Sequence, residues 1–123
     1  MGVGDPMKNF TPSALAVDNG KVQVFDHIED EGPMWSGEGK RWSRAWVTFD
    51  NAFAEPPVVQ LSIAMIDADS GPNLRLELSA EDVSERGFTA VSHTWGDTRI
   101  GRLNVNWTAI GMRHAQAEPL WDV

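Results

Sequence analysis

Hydrophobic and polar residues alternate along much of this 123-residue chain. Alternation with a period of two is typical of a β-strand with one buried face, because successive side chains point to opposite sides of a sheet. The segment 74–79 shows it most clearly, with Leu74, Leu76 and Leu78 on one face. The segment 57–66 is more continuously apolar, which predicts a long central strand. Six strands are predicted, at residues 21–28, 43–49, 57–66, 74–79, 87–94 and 103–110.

Glycine, proline, asparagine and aspartate separate these segments at regular intervals, and no stretch of ten residues has a convincing helical period. Regularly spaced short strands with such punctuation are typical of an antiparallel sandwich or barrel. The length predicts a single domain. Residues 1–19, broken by Pro6 and Pro12 and ended by the break at Gly20, are expected to form an N-terminal arm or a loose first strand. Residues 20–112 are expected to form the folded domain, and residues 113–123 a C-terminal tail.

The formal net charge of −8 makes nucleic acid an unsuitable partner, because neutralising phosphates requires a basic face. An anionic membrane surface is disfavoured for the same reason, and no apolar run is long enough to insert into a bilayer. The chain has no cysteine, which excludes disulfides and thiolate metal sites. Its first residues lack a basic region followed by an apolar one, so no Sec-type signal is predicted.

Two polar side chains stand out as candidate ligand contacts. Glu38 lies between Gly37 and Gly39 in a predicted loop, where small neighbours let a ligand approach the carboxylate and the backbone amides. Arg75, on the polar face of the fourth predicted strand, can donate several hydrogen bonds to hydroxyls or carbonyls. A solvated glutamate in a plain turn and a cross-strand ion pair remain the alternatives.

Trp95 is followed by Gly96 and Asp97, a combination that favours a turn, so the indole is predicted at the tip of a strand. An indole face can lie against a sugar ring or hold a cation. It can equally be a core side chain, and the pattern leaves both open. His93 lies on the same face of the predicted strand as Trp95, and a structural role is the simpler interpretation for it.

The acidic segment 67–73 resembles the start of a calcium loop but lacks the later oxygen ligands, so a turn capped by aspartates is the better interpretation. No catalytic triad motif, zinc-binding HExxH motif or phosphate loop is present. A pair of carboxylates able to hydrolyse glycosidic bonds cannot be identified from spacing. An enzyme is therefore not predicted, and no cofactor or metal ion is expected.

An ordered set of short motifs covers about three quarters of the chain, from residue 20 to residue 111. With these motifs the chain resembles the H-type lectin domain of snail agglutinins and of the C-terminal part of discoidins. The motifs are Trp35-Ser36-Gly37-Glu38-Gly39, Val47-Thr48-Phe49, Phe53-Ala54-Glu55-Pro56-Pro57-Val58-Val59, Leu61-Ser62-Ile63, Asp67, Asn73-Leu74-Arg75, Gly87-Phe88, Thr94-Trp95-Gly96-Asp97-Thr98 and Val105-Asn106-Trp107.

The resemblance implies an all-β fold, a six-stranded antiparallel β-sandwich. It implies trimers or trimer-based assemblies such as hexamers, with shallow sites for galactose or N-acetylgalactosamine between protomers. Glu38 stands where the family has an acid that holds sugar hydroxyls, with Ser36 beside it. Arg75 matches the family's sugar-binding arginine, and Trp95 its aromatic wall. The snail lectins have a sugar-reading histidine at the position of Gly96, and Asp97 and Arg99 are the candidate replacements.

The function predicted from the resemblance is non-catalytic carbohydrate binding, multivalent and suited to cell adhesion, by a secreted, surface-exposed or particle-associated protein. The alternative is a trimeric tip or assembly module of a surface structure or phage-like particle, with an altered or decayed sugar site. The two differ in whether the protein binds glycans.

Overall fold

A computed structural model describes residues 6–115 of the chain. Residues 12–14 form a single turn of 3-10 helix, and Pro33–Ser36 form a short helix, α1. All other regular structure is β, and no helix among residues 6–115 is long and apolar enough to cross a membrane. The strands are β1 (Leu15–Asp26), β2 (Arg41–Thr48), β3 (Val58–Ala68), β4 (Glu77–Glu81), β5 (Gly87–Thr94) and β6 (Ile100–Met112).

The six strands form two three-stranded antiparallel sheets, in the orders β1-β6-β3 and β2-β5-β4. The prediction of a six-stranded antiparallel β-sandwich is confirmed. The central strands β5 and β6 follow one another in the chain and lie in different sheets, so the turn between them crosses one end of the sandwich. That turn contains Trp95, Gly96 and Asp97.

The two central strands supply most of the core. On β5 the alternate residues Phe88, Ala90, Ser92 and Thr94 are buried, as the alternation predicts. On β6 the buried alternate residues are Leu103, Val105, Trp107 and Ala109. Aromatic rings fill the space between the sheets, with Phe88 and Trp107 packed edge to face at 5.6 Å between ring centroids. Trp95 lies outside this core at the end of β5, 39% exposed.

The first strand begins at Leu15 and not at residue 21, so residues 15–19 belong to the sheet and the predicted arm is shorter. Gly20, which looked like a break in the pattern, lies inside β1 opposite Trp107. A Cβ at Gly20 would be 3.0 Å from the indole of Trp107. The glycine therefore makes room for a core side chain. Of the predicted tail, residues 113–115 are described, and the remaining residues, including Trp121, lie outside the described part of the chain.

The fourth strand begins at Glu77, three residues later than the leucine alternation predicts. Side-chain hydroxyls bind the backbone just before it. Thr94 Oγ1 donates to the carbonyl oxygen of Arg75 at 2.6 Å, and Thr98 Oγ1 donates to that of Asn73 at 2.5 Å. Because these two carbonyls are bound by side chains from the β5–β6 region, the segment carrying Arg75 is fixed as a loop at the end of the sandwich.

Candidate functional site

Three loops meet at one end of the sandwich: residues 27–40 after β1, residues 69–76 after β3, and residues 95–99 after β5. All six predicted site residues lie in these loops. Ser36 ends α1 and Glu38 follows it in the first loop, Arg75 lies in the second, and Trp95, Gly96 and Asp97 form the third. The topology therefore brings segments that are far apart in sequence to the same end of one chain.

A backbone hydrogen bond joins the first and third loops directly: the N–H of Gly39 donates to the carbonyl oxygen of Gly96 at 2.9 Å. This bond holds Glu38 and Trp95, the neighbours of its two ends, on adjacent loops of the same chain. The Glu38 side chain is exposed, and no hydrogen bond to it is found within residues 6–115. Its carboxylate oxygens are thus available to accept hydrogen bonds from a ligand.

Arg41 is a residue of this region that the sequence analysis did not single out. It is 6% exposed at the start of β2. Its Nε donates to the carbonyl oxygen of Gly39 at 2.9 Å, and its Nη2 to that of Gly96 at 3.0 Å. Its Nη1 donates to the carbonyl oxygens of Pro33 at 3.1 Å and Met34 at 3.4 Å. One buried guanidinium therefore ties α1, the Glu38 loop and the Trp95 turn together.

Burial lowers the pKa of Arg41 below its ordinary value, and the nearby Glu38 carboxylate acts in the opposite direction. A buried arginine stays charged in proteins because its ordinary pKa is so high. The sequence could have revealed this role, because Arg41 falls on the side of its strand that faces the core. A fully buried charge is rare unless it is paired or hydrogen-bonded, so an arginine there indicates a structural role.

The Arg75 side chain lies against the third loop. Its Nη1 donates to Asp97 Oδ1 at 2.8 Å and to Thr98 Oγ1 at 3.2 Å, and lies 3.5 Å from the carbonyl oxygen of Asn73. The hydrogen bond from Arg75 lowers the pKa of Asp97 below its ordinary value. Within residues 6–115 all the hydrogen bonds of the Arg75 guanidinium use Nη1. Its Nε and Nη2 donors therefore remain for a ligand.

Gly96 has a backbone φ of +68°, in the left-handed region that favours glycine. A Cβ at this position would be 2.9 Å from Nη1 and 3.1 Å from Cζ of Arg75. A side chain at position 96 and the observed position of the guanidinium exclude each other. The absence of a histidine here is thus coupled to where Arg75 lies.

Ser36 and Trp95 offer a ligand different groups, a hydroxyl oxygen and an aromatic ring. The Ser36 hydroxyl is directed at the carbonyl oxygens of Gly32, at 3.0 Å, and Glu31, so its donor is used within the loop. Its oxygen lone pairs remain as acceptors. The partly exposed Trp95 ring lies 5.3 Å from the ring of His93.

A second group of contacts supports the same end of the sandwich. Arg99 lies over the Trp35 ring, with Cζ 4.2 Å from the ring centroid, and its Nε donates to the Trp35 carbonyl oxygen at 2.9 Å. Its Nη1 bonds Asp69 Oδ2 at 3.2 Å, and Asp69 Oδ1 accepts from the N–H of Gly71 at 2.9 Å. The acidic 67–73 segment is therefore a capped turn that anchors Arg99.

Two concavities of the described residues lie away from the three loops. One, of about 560 Å³, is lined by Asp18, Asp50, Phe53 and Arg113 among others, at the end of the sandwich opposite the three loops. At the loop end, Ser36, Glu38, Trp95 and Asp97 are exposed. An exposed polar surface fits a ligand that is held by a few hydrogen bonds and one ring contact rather than enclosed.

Comparison with known proteins connects this architecture to a family. The H-type lectin domain model matches residues 44–110. The curated "ATP synthase subunits region ORF 7" of Fuscovulum blasticum is 39% identical over 99 residues, or 80% of this chain and 86% of that protein. Discoidin-2 of Dictyostelium discoideum is 27% identical over 107 residues, or 85% of this chain and 38% of discoidin-2.

A solved structure shows the same fold. The native structure of recombinant discoidin II of Dictyostelium discoideum superposes with a TM-score of 0.72 at 27% identity, covering 89% of this chain and 41% of that one. The chain therefore spans less than half the length of the discoidins that it matches. Because the family model matches more than half of its residues, the chain belongs to the H-type lectin domain family.

Proposed function

We propose that this protein is a lectin that binds galactose- or N-acetylgalactosamine-type sugars through Glu38, Arg75 and Trp95. Family membership and the likeness to discoidins point to a carbohydrate-binding domain without catalytic chemistry. One observation supports the site above all: the loops that carry these three residues meet at one end of a single chain, joined by the hydrogen bond from Gly39 to Gly96.

Each residue has a chemical role in this proposal. The exposed Glu38 carboxylate accepts hydrogen bonds from two sugar hydroxyls. Arg75 donates to sugar oxygens through Nε and Nη2, while Asp97 holds Nη1 at 2.8 Å. The Trp95 indole covers the apolar C–H face of the ring. Ser36 contributes acceptor lone pairs beside Glu38, and Gly96 leaves the space that the Arg75 guanidinium fills.

A site with so few contacts binds weakly, so we include a trimer or trimer-based assembly in the proposal. An apolar row on the outer face of the β1-β6-β3 sheet supports it, with Val17 and Val58 on either side of Ile110 in register. Val17 is 58% exposed and Val58 46%. Several sites presented together raise avidity by about 10²–10⁴ when the sugars have matching spacing.

A glycan array with matched arginine variants tests the sugar site. Arg75→Ala is expected to abolish binding to galactose-type glycans, because it removes the guanidinium donors. Arg102→Ala is the control, since Arg102 also forms an aspartate pair of 2.8 Å, with Asp67, but lies on β6 and outside the three loops that carry the proposed contacts. Thermal unfolding of both variants shows whether the fold is kept.

The outcomes separate the parts of the proposal. Wild-type protein that binds no glycan at high concentration contradicts the lectin function. Equal losses for Arg75→Ala and Arg102→Ala contradict the assigned site. Sedimentation velocity checks the assembly, and a monomer at the concentrations of the array contradicts the multivalent part.

The alternative, an assembly module with an altered sugar site, is favoured by two observations. Arg75 is already paired with Asp97, and position 96 carries no side chain that could contact a sugar. A stable oligomer that stays blank on the array supports this second function.

A further inference from the structure

A row of side chains crosses the outer face of the β2-β5-β4 sheet near the candidate site. Trp42 pairs in register with His93, and Glu77 pairs with His93 from the other side. The row therefore holds an indole, an imidazole and a carboxylate on three adjacent strands. Trp95 follows at the end of β5, two residues beyond His93.

The rings in this row are in contact. The His93 ring stacks on Trp42 with 4.5 Å between centroids and an angle of 5° between the planes. Trp95 lies 5.3 Å from the same imidazole at 37°. The His93 Nε2 is buried and has no hydrogen-bond partner within residues 6–115. Ring contacts, stacked with Trp42 and tilted with Trp95, therefore hold this imidazole rather than a hydrogen bond of Nε2.

Both indoles remain accessible to a ligand. Trp42 is 46% exposed and Trp95 is 39% exposed, whereas the His93 side chain between them is mostly covered. The Glu77 carboxylate stands at the edge of the group, with Oε1 3.9 Å from His93 Nδ1, and is well exposed. The surface thus combines a fixed, flat aromatic face with a free hydrogen-bond acceptor.

The aromatic surface is continuous with the candidate site. Trp95 belongs to both, and the next residue, Gly96, is the one against which Arg75 lies. Arg75 is also only two residues before Glu77 at the start of β4. A ligand held at Arg75 and Trp95 that extends past Trp95 meets His93 and Trp42 next.

We propose that Trp42, stacked on His93, forms a second subsite that binds the adjoining sugar ring of a glycan whose terminal residue occupies the Glu38–Arg75–Trp95 site. This inference rests on the proposed lectin function. The C–H face of the second pyranose lies on the exposed indole of Trp42, and Glu77 accepts a hydrogen bond from one of its hydroxyls.

The ring geometry favours a sugar over an organic cation at this place. An aromatic cage for a quaternary ammonium surrounds a free volume with rings set at angles to one another. Trp42 and His93 are nearly parallel and in contact, so the space between them is filled. What they offer is a flat surface, which matches the flat apolar face of a pyranose.

Trp46 provides a matched control on the same strand and the same face. It is 55% exposed, four residues from Trp42 toward the opposite end of the sandwich. Its Nε1 donates to Thr48 Oγ1 at 2.9 Å, and no aromatic stack with it is found within residues 6–115. Two exposed tryptophans on one strand thus differ in their aromatic support and in their distance from the loops.

The test measures two affinities by isothermal titration calorimetry, for methyl galactoside and for a panel of galactose-terminated disaccharides including lactose. The wild type is expected to bind the best disaccharide about 3–10-fold more tightly than methyl galactoside, as one added ring contact implies. Trp42→Ala is expected to bring that ratio to about one. Trp42→Phe is expected to keep most of it, and Trp46→Ala all of it.

The results that contradict the second subsite differ from those that contradict the lectin function. A wild type with no preference for any disaccharide, or a Trp42→Ala variant that keeps the preference, overturns the subsite while leaving the lectin function intact. Equal losses of both ligands in Trp42→Ala, or loss of the preference in Trp46→Ala, also overturn it. A wild type that binds no sugar overturns both proposals. Tetramethylammonium is added to test for cation binding. If it quenches tryptophan fluorescence in the wild type but not in Trp42→Ala, the surface binds a cation and the sugar subsite is overturned.

Discussion

Replacing Gly96 with alanine tests whether position 96 must lack a side chain for Arg75 to keep its place. The new Cβ would be 2.9 Å from Arg75 Nη1, closer than real Cβ contacts allow. The guanidinium is the flexible end of a long side chain, so it is expected to move away from its hydrogen bonds to Asp97 and Thr98. The backbone φ of +68° adds a separate cost for any residue with a Cβ.

The backbone cost can be measured on its own with Gly39→Ala. Gly39 has a similar φ of +75°, but no heavy atom of the described residues lies within 4 Å of a Cβ placed there. A left-handed conformation costs a non-glycine residue about 1–2 kcal/mol. For a domain of this size that lowers the melting temperature by about 4–8 °C. Both variants are expected to show this loss, and only Gly96→Ala displaces Arg75.

NMR titration of the Asp97 carboxyl reports the position of Arg75. In the wild type the hydrogen bond from Arg75 lowers the pKa of Asp97 below its ordinary value of 3.8. The pKa is expected to rise back toward that value in Gly96→Ala and to stay low in Gly39→Ala. A carboxyl pKa in Gly96→Ala that remains as low as in the wild type refutes the steric coupling between position 96 and Arg75.

Two further predictions concern the groups that hold the loops. Arg41→Met is expected to lower the free energy of unfolding by about 2 kcal/mol, because the partly or fully buried carbonyl oxygens of Gly39 and Met34 lose the guanidinium as donor. Arg44→Met, at an exposed position of the same strand, is expected to change the free energy of unfolding by less than about 0.5 kcal/mol. Equal effects of the two substitutions in urea unfolding would contradict the role of Arg41. Asp97→Asn is expected to lower the melting temperature at neutral pH. Because the folded-state pKa of Asp97 is depressed, its stabilisation is complete above the ordinary value of 3.8 and is lost as the pH falls below it. The difference from the wild type should therefore shrink as the pH falls below about 4, and a difference that stays constant throughout acid titration is inconsistent with the Arg75–Asp97 pair.

The strands could be predicted from the sequence because the core is built on simple alternation. Leu103 to Ala109 on β6 alternate between buried and more exposed positions as the pattern indicates, and within Phe88 to Thr94 on β5 the exception is Val91, which is buried on the opposite face. At β1 the predicted start at residue 21 was too late, because Gly20 suggested a break, and the strand begins at Leu15. The reason was invisible in the local sequence, since the indole that needs the space belongs to Trp107, far along the chain.

The start of β4 was misplaced for a related reason. The leucines at 74, 76 and 78 indicate a strand from residue 74, but hydroxyls of Thr94 and Thr98 bind the carbonyl oxygens before Glu77. Such competition between side chains and the sheet ladder arises only in the folded chain.

The site itself was predicted through the family resemblance rather than through spacing. Glu38, Arg75 and Trp95 are far apart in sequence, and composition alone left each of them open. The structure places their loops together, and it adds Arg41 and the Trp42–His93 stack, which no short motif marks. Their roles in binding stay predictions until the variants are measured.

The buried guanidinium of Arg41 has a consequence for the thermodynamics of recognition. Four carbonyl oxygens from three segments accept its hydrogen bonds, so these segments lose their conformational freedom when the chain folds. A ligand then meets loops that are already ordered, and little further entropy is lost on binding. Small sugars make too few contacts to order a flexible loop. The proposed sugar site therefore depends on the charge of Arg41, which is buried among the loop backbones rather than presented on the surface.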